Sequence, residues 1–272
     1  MAKAVLITGC SDGGIGHALA KSFAQRGLTV FATARLVSNI TGFEQFPSIH
    51  LLQLDVIDPN SIKAAVEAVE ARSGRLDYLV NNAGRGYFMP AMGADIEESK
   101  KVYEVNFWGP LRTTQAFMPL LIASKGSIVN IGSIVGYFSQ PYIGIYSASK
   151  AALHSLSDIM RVELAPFSVK VLTVVTGSIK TALHGKLPPC QLPEGSIYAP
   201  IQQQLDIMAH SDSIVRSEAE PYAEAVVSDV LAGKTGRVWH GSNSWKTKAG
   251  KILPKRVQDR ILCKGAGLER LA

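Results

Sequence analysis

The chain has 272 residues, of which 47% are hydrophobic and 18% are charged, and its net charge is +6. This composition permits one substantial hydrophobic core and excludes a disordered or fibrous chain. The positive charge is concentrated after residue 234 rather than spread over the chain, so we expect no nucleic-acid partner.

The cysteines indicate the compartment. Cys10, Cys190 and Cys263 show no pairing pattern and no spacing typical of metal ligands. Such a set fits a reducing environment, and we expect no metal site. The apolar N-terminus is too short for a signal peptide, and no run of about 18 apolar residues predicts a membrane-spanning helix. We therefore expect a cytoplasmic protein.

Short apolar runs alternate with helical patterns along the chain. Helices are predicted over about 15–26, 60–72, 95–123 and 146–165. Strands are predicted at Lys3–Thr8, Leu28–Ala34, Ile49–Leu54, Leu76–Val80, Ser127–Ile131, Val169–Val175 and Arg237–His240. Apolar strands separated by helices indicate a parallel sheet that is covered on both faces. We predict a single-domain α/β fold, a Rossmann-type doubly wound parallel sheet with helices on both faces.

The same pattern divides the chain into a main domain and a tail. Residues 1–235 form the domain, and residues 236–272 hold the last strand and a basic C-terminal tail. Prolines interrupt the rhythm at about 183–213, where we predict an inserted loop beyond the sixth strand. Ligands bind at that edge of open α/β sheets, so we expect this insertion to contact substrate.

A glycine-rich loop follows the first strand and opens the first helix, Thr8-Gly9-Cys10-Ser11-Asp12-Gly13-Gly14-Ile15-Gly16. Glycines let the backbone approach a pyrophosphate closely, and a helix N-terminus offers N–H donors. The loop alone could also be a tight turn, but its position after the first strand favours cofactor binding.

Arg35 directly follows the second predicted strand. Folds that prefer NAD usually place a carboxylate here for the ribose 2′-hydroxyl, whereas an arginine suits a 2′-phosphate. We expect NADPH rather than NADH, the alternative being an ordinary exposed arginine at a strand end.

Tyr146 and Lys150 are four residues apart on a predicted helix and therefore share a face. A nearby ammonium favours the phenolate and lowers the pKa of a tyrosine towards the range useful for proton transfer. Ser133 lies just after the fifth strand, where its hydroxyl can hold a substrate carbonyl that Tyr146 protonates.

Together these motifs resemble the short-chain dehydrogenase/reductase family over about residues 3–235. The resemblance implies a catalytic tetrad of Asn106, Ser133, Tyr146 and Lys150, with Asn106 holding a water molecule that links Lys150 to solvent. Asp55-Val56 resembles the adenine-contacting pair, Asn81-Asn82-Ala83-Gly84 the stretch after the fourth strand, and Thr181 the residue that contacts the nicotinamide carboxamide. The expected cofactor contacts are Gly9, Ser11, Asp12, Gly14, Ile15, Gly16, Arg35, Asp55, Val56, Asn82, Ala83, Gly84, Tyr146, Lys150, Gly177, Ile179 and Thr181.

The chain departs from the family pattern at two places. The glycine loop is one residue longer than usual, and Asp12 brings a carboxylate towards the expected phosphates. Thr176-Gly177 replaces the common Pro-Gly after the sixth strand. The Thr-Gly form resembles the branch that holds hydroxysteroid and retinol dehydrogenases and fungal acyl-dihydroxyacetone-phosphate reductases.

The resemblance implies an oxidoreductase that transfers a hydride between NADPH and an apolar ketone or secondary alcohol, in secondary metabolism. One alternative is a lipid-metabolism reductase of acyl-dihydroxyacetone phosphate, and another is a cofactor-binding sensor without turnover. The family usually forms homodimers or homotetramers through the helices near 95–123 and 146–165. The first of these carries more apolar residues than one buried stripe needs, namely Phe107, Trp108, Leu111 and Phe117.

Several other residues allow two interpretations. Tyr137, Phe138 and Tyr142 could line a substrate pocket or fill the loop before the catalytic helix, and His17 and His154 are expected in packing or surface roles. In the basic tail a helix should begin near Pro254, with Val257, Ile261 and Leu262 in one stripe. This stripe could lie on an anionic membrane surface, although packing against the body or a partner subunit is the favoured interpretation.

Overall fold

The computed structural model describes residues 2–182, 190–209 and 215–271. Seven parallel strands form one sheet in the order β3-β2-β1-β4-β5-β6-β7. The strands are β1 Ala4–Ile7, β2 Thr29–Ala34, β3 Ile49–Gln53, β4 Tyr78–Asn81, β5 Ser127–Ile131, β6 Lys170–Thr176 and β7 Gly236–His240. The predicted doubly wound parallel sheet is confirmed.

The helices connect these strands on both faces of the sheet. They are α1 Ile15–Gln25, α2 Pro59–Ser73, α3 Ile96–Tyr103, α4 Gly109–Ser124, α5 Gly144–Glu163, α6 Gln202–Ala209, α7 Ala219–Leu231, α8 Ser244–Gly250 and α9 Lys255–Leu262. A π-helical turn, Glu104–Trp108, joins α3 to α4. The predicted helix over 95–123 is therefore three helical segments in succession.

Alternate residues of the central strands feed two separate cores. On one face Val5 and Ile7 pack with residues of α1 and α7, and on the other Leu6 packs with residues of α2 and α4. Successive side chains of a strand point to opposite faces, which explains why the strands are apolar throughout. Both faces of β1 are fully buried.

Helix α7 was not predicted from the sequence. Its buried residues Ala223, Val226, Val227 and Val230 recur at helical spacing and pack in the same core as α1. Part of the predicted insertion, residues 183–189 and 210–213, lies outside the described residues. The described part contains a 3-10 turn, Ala199–Ile201, and α6.

None of the helices in the described ranges is long and apolar enough to cross a membrane. The carboxyl ends of β1, β4, β5 and β6 meet at one edge of the sheet. The segments that leave this edge contain Gly9, Asn82, Ser133 and Gly177.

Candidate active site

The glycine loop between β1 and α1 is packed as closely as its backbone permits. Gly9 and Gly13 have φ values of 75° and 68°, which L side chains rarely adopt. A Cβ atom added to Gly16 would lie 2.4 Å from the carbonyl oxygen of Gly9, so α1 could not approach the loop with any side chain there. Gly14 occupies the N-cap of α1, where no side chain caps the helix. The first turn therefore keeps N–H donors for an anion.

Asp12 in the longer glycine loop links this loop to the segment after β2, which contains Thr41. Both carboxylate oxygens of Asp12 accept hydrogen bonds from Thr41, Oδ1 from the backbone N–H at 2.8 Å and Oδ2 from the hydroxyl at 2.6 Å. These two bonds lower the pKa of Asp12. Nε2 of His17 lies 3.6 Å from the same carboxylate. The structure thus gives this carboxylate a role in holding the loop.

The segment after β6 covers the glycine loop. The backbone N–H of Ala182 donates to the carbonyl of Gly13 at 3.0 Å. Gly177 is held by the end of β7, where a Cβ atom would lie 2.0 Å from the carbonyl oxygen of Ser242. Ile179 is buried and Thr181 half-buried between these anchors. The two cofactor segments predicted from the sequence therefore form opposite walls of one cleft.

Thr8, which the sequence analysis did not include among the site residues, connects this loop to the segment after β4. Its hydroxyl accepts the backbone N–H groups of Asn82 at 3.0 Å and Ala83 at 2.9 Å. The side-chain amide of Asn82 donates to the carbonyls of Thr8 and Gly9. Asn82 and Ala83 are therefore fixed against the loop.

The segments that follow β2 and β3 form the side of the cleft where the adenine of the cofactor is predicted to bind. Arg35 is exposed immediately after β2. Asp55 is half-buried after β3 and accepts the N–H of Ile57, and Val56 packs against Gly109. Because β2 and β3 pair in parallel, the segments that follow these two strands lie side by side.

Ser133, Tyr146 and Lys150 are brought together as predicted. The hydroxyl of Ser133 lies close enough to that of Tyr146 to act on the pKa of the phenol. The Nζ atom of Lys150 lies 5.9 Å from the centre of the Tyr146 ring and donates to the carbonyl of Ile131 at 2.9 Å. That carbonyl belongs to the end of β5, so the sheet itself positions the lysine.

The ionisation of this group differs from the expectation based on the Tyr146–Lys150 spacing. Burial raises the pKa of Tyr146, and the nearby hydroxyl of Ser133 opposes this shift. Burial also lowers the pKa of Lys150 to about 8. The net direction at Tyr146 is upward because desolvation disfavours a charged phenolate. A phenol that stays protonated is the form able to donate a proton.

Asn106 lies in the π turn and fixes the segment beyond Gly84. Its amide oxygen accepts the N–H of Arg85 at 2.8 Å, and its amide nitrogen donates to the carbonyl of Arg85 and to Ser149. A Cβ atom on Gly84 would lie 3.7 Å from Nζ of Lys150. Asn106 therefore shapes the wall beside the lysine through its side chain.

His154 is a second residue whose role the sequence did not reveal. It is buried on α5, and its Nε2 accepts the backbone N–H of Ser133 at 3.2 Å. Burial, followed by the nearby charges of Lys150, Arg237 and Lys251, lowers its pKa to about 3. Its ring stacks on Tyr137 at 4.9 Å. The only sequence signal was its position two helical turns after Tyr146.

The aromatic residues before α5 lie in two different surroundings. Tyr137 fills space between His154 and Trp239, and Phe138 contacts Gly250 of α8. Tyr142 instead belongs to a third apolar cluster beside the start of α5. The buried members of this substrate-side cluster are Tyr142, Cys190, Ile201, Leu205 and Ala266, and its partly buried neighbours include Phe88, Met89, Leu192 and Tyr198.

The cleft beside the glycine loop and the Ser-Tyr-Lys group thus lie at the same edge of one parallel sheet. Residues 3–191 match the family model for short chain dehydrogenases. The chain belongs to this family. It is therefore an oxidoreductase of a family that uses a nicotinamide cofactor, and the start of α1 fits the phosphates of one, because no side chain caps its N-terminus at Gly14.

Fungal relatives cover almost the whole chain. It is 44% identical over 269 residues to the short-chain dehydrogenase ptmH of Penicillium ochrochloron, covering 98% of each protein. It is 46% identical over 241 residues to the short-chain dehydrogenase PC-15 of Penicillium crustosum, covering 88% of each. An NADPH-dependent 1-acyldihydroxyacetone phosphate reductase of Schizosaccharomyces pombe is 37% identical, with 94% of this chain and 91% of the relative covered.

Solved structures share the fold as well. A short-chain dehydrogenase from Streptomyces avermitilis has a TM-score of 0.80 at 31% identity, covering 99% of this chain and 98% of its own. A short chain dehydrogenase from Burkholderia cenocepacia in complex with NADP has a TM-score of 0.76 at 25% identity, covering 96% and 97%.

Proposed function

We propose that the protein is an NADPH-dependent oxidoreductase of apolar ketones or secondary alcohols, acting in fungal-type secondary metabolism. The observation that carries this proposal is the group in which the hydroxyl of Ser133 adjoins that of the half-buried Tyr146, with the buried Lys150 5.9 Å from the centre of the Tyr146 ring. The bound nicotinamide supplies the hydride to a carbonyl carbon or accepts it from an alcohol.

The side chains manage the proton and the carbonyl oxygen. In reduction the neutral hydroxyl of Tyr146 donates its proton to the developing alkoxide, and Ser133 donates a hydrogen bond to the same oxygen. The ammonium of Lys150 stabilises the phenolate that remains. In oxidation the same groups act in reverse, with Tyr146 as the base.

The proposed cofactor contacts follow the two walls of the cleft. The first turn of α1 and Gly9, Ser11 and Gly14 would hold the pyrophosphate, while Asn82, Ala83 and Gly84 would line the ribose side. Ile179 and Thr181 would meet the nicotinamide from the opposite wall. The exposed guanidinium of Arg35 would bind the 2′-phosphate. The NADP complex of the Burkholderia structure and the named cofactor of the Schizosaccharomyces relative support NADPH.

The surroundings of the substrate support an apolar molecule. The substrate-side cluster is built from Tyr142, Cys190 and their apolar neighbours. Among the described residues, the cations next to Gly84 and Ile179 each face a carboxylate: Arg85 contacts Glu98 at 2.5 Å and Lys180 contacts Glu218 at 3.2 Å. A phosphate would have to compete with these carboxylates for its charge partners.

A second candidate is reduction of acyl-dihydroxyacetone phosphate, which the Schizosaccharomyces relative favours by its name. The two candidates are separated by following NADPH oxidation with apolar cyclic ketones, with retinal, and with acyl-dihydroxyacetone phosphate. The apolar ketones should give the higher kcat/KM. Turnover restricted to the phosphorylated lipid would replace the main proposal by the second, and no turnover with any carbonyl or alcohol would count against both.

A further inference from the structure

The basic tail forms a helix whose outward face is apolar. Helix α9, Lys255–Leu262, has no buried residue among those described, and Val257 and Ile261 are exposed one turn apart. In the loop before the helix, Ile252 is 88% exposed and Leu253 is also exposed. The favoured expectation from the sequence was that this stripe packs against the body or a partner subunit, and Val257 and Ile261 do not pack against the body of the same chain.

The polar side of α9 faces the body instead. Lys255 donates to the hydroxyl of Ser139 at 2.6 Å and lies 3.5 Å from Asp259. Gln258 donates to the carbonyl of Leu253, and Gln258 and Asp259 are only partly exposed. A surface helix normally turns its apolar stripe inward and its charges outward. In α9 two members of the apolar stripe, Val257 and Ile261, instead lie in solvent, where they are available to a membrane or a partner.

The apolar residues are surrounded by positive charge. At 100° per residue, Arg256 and Arg260 lie on the same outward half of α9 as Val257 and Ile261. Seven basic side chains are exposed in the segment that holds α8 and α9, against the single acid Asp259. We call the outward part of this segment the tail surface: its apolar members are Trp245, Ile252, Leu253, Val257 and Ile261, and its basic members are Lys246, Lys248, Arg256, Arg260 and Lys264.

We propose that the tail surface docks this protein on an anionic lipid membrane. Apolar side chains flanked by lysines and arginines suit the headgroup region of a bilayer, where the apolar residues enter the acyl boundary and the cations meet lipid phosphates. Trp245, 68% exposed, adds an aromatic ring of the kind enriched at that depth. This proposal deepens the proposed function, since it concerns how an apolar substrate reaches the site.

The charge pattern argues against a second copy of this chain as the occupant. A two-fold interface places the same patch on both subunits, so the tail surfaces of two copies would bring like charges together. Like charges across an interface disfavour the complex. An anionic bilayer offers the complementary sign without this penalty.

The tail surface is attached directly to the substrate side of the site. Ala266 lies three residues after Cys263 and is buried. Its carbonyl oxygen accepts a hydrogen bond from the hydroxyl of Tyr142 at 2.5 Å. Gln204 of α6 donates to the carbonyl of Gly265 at 2.9 Å. Tyr142 and Ala266 both belong to the substrate-side cluster. A membrane bound at the tail surface would therefore adjoin the apolar entrance to the catalytic group.

The test is sedimentation of the full chain with vesicles. Vesicles of phosphatidylcholine with about one third phosphatidylserine should pull down the wild-type protein at low salt. Its binding to vesicles of pure phosphatidylcholine should be weaker by at least about tenfold. The double variant Arg256→Glu/Arg260→Glu and the double variant Val257→Ser/Ile261→Ser should each lose at least about tenfold in binding to the anionic vesicles. The matched control Lys63→Glu/Lys100→Glu carries the same charge change on α2 and α3 and should bind like the wild type.

Two further measurements separate the outcomes. NADPH-dependent turnover of a water-soluble ketone without vesicles should be unchanged in all these variants, which shows that they fold. Equal sedimentation of every variant, or no sedimentation of the wild type at low salt, would overturn the membrane proposal. If the wild type did not bind vesicles and the tail variants changed oligomeric state in light scattering, the tail surface would be assigned to contact with a partner subunit instead. Because sedimentation does not depend on turnover, failure of the proposed function would not imitate any of these results.

Discussion

The backbone N–H of Ser133 donates to Nε2 of His154 across 21 residues of sequence, at 3.2 Å. The ring is clamped by close backbone packing, since a Cβ atom on Gly132 would lie 2.3 Å from Nε2 and one on Gly136 would lie 2.8 Å from Cε1. His154 therefore fixes the position of Ser133, the serine that we propose holds the substrate oxygen.

Replacing His154 by phenylalanine should lower kcat by roughly ten- to hundredfold, because small displacements of a catalytic group are costly and the buried N–H of Ser133 loses its acceptor. His154→Gln can still present an amide oxygen and should recover part of the rate. The affinity for NADPH, measured by fluorescence titration, should change little in either variant. If both variants lost rate equally and lost NADPH affinity in parallel, a general structural role would explain the effect.

His154 also predicts how stability depends on pH. Its pKa is lowered from 6.5 to about 3 in the folded protein, so between these values the unfolded chain binds more protons. The contribution to the free energy of unfolding is complete above about pH 6.5 and is lost as the pH falls towards about 3. Urea unfolding at pH 7.5 and at pH 5 should show this loss, and His154→Gln should show a smaller one. An identical pH dependence in the variant would contradict the assignment.

Tyr146 is expected to be the proton donor. Tyr146→Phe should lower kcat by at least about 10²–10⁴-fold because the positioned acid is lost. Its fluorescence titration with NADPH should resemble that of the wild type, since the ring remains. Tyr103→Phe, which removes a phenolic hydroxyl from α3, is the matched control and should keep its rate. A near-normal rate for Tyr146→Phe in a steady-state assay would remove Tyr146 from the mechanism.

The sequence predicted those parts of the fold and site that depend on neighbouring residues in the chain. The seven strands lie within two residues of their predicted ends because each is a short run rich in apolar residues, and the central strands are buried on both faces. The Tyr146–Lys150 pair was recoverable because four residues make one turn of α5. Local periodicity therefore located the sheet and its catalytic helix.

What escaped prediction depends on distant contacts. His154 meets Ser133, and Thr8 meets Asn82, only because parallel strands end at one edge of the sheet. The upward pKa shift of Tyr146 was missed because spacing reveals a neighbouring cation but not the degree of burial. The orientation of α9 involves a hydrogen bond from Lys255 to Ser139, which lies more than a hundred residues earlier in the chain.

Cofactor preference should depend on Arg35, which stands exposed at the end of β2. A charged hydrogen bond to the 2′-phosphate contributes about 1.5–3 kcal/mol, so Arg35→Ala should raise the KM for NADPH by roughly ten- to hundredfold. The KM for NADH should change little, because NADH offers no phosphate to this arginine. Arg72→Ala, on α2, serves as the control for loss of a surface charge. Equal effects of Arg35→Ala on both cofactors would show that Arg35 does not read the phosphate.

The outward face of α5 predicts self-association. Leu153 and Met160 of this helix are buried, whereas Ile159 and Val162 are 50% and 63% exposed, one turn apart. Of the residues singled out on the preceding helices, Trp108 is exposed but Phe117 is buried in the core and cannot serve a partner. A contiguous exposed apolar face on a regular helix is typical of an interface between copies.

We expect at least a homodimer at micromolar concentration, measured by light scattering. The double variant Ile159→Glu/Val162→Glu should dissociate it, because four carboxylates would meet across a two-fold interface built on α5. Ile252→Glu places one charge on the tail surface instead and should leave the mass unchanged, so the two exposed surfaces are tested separately. A monomeric wild type would remove α5 as an interface. A dimer that survived the double variant would place the interface elsewhere on the protein.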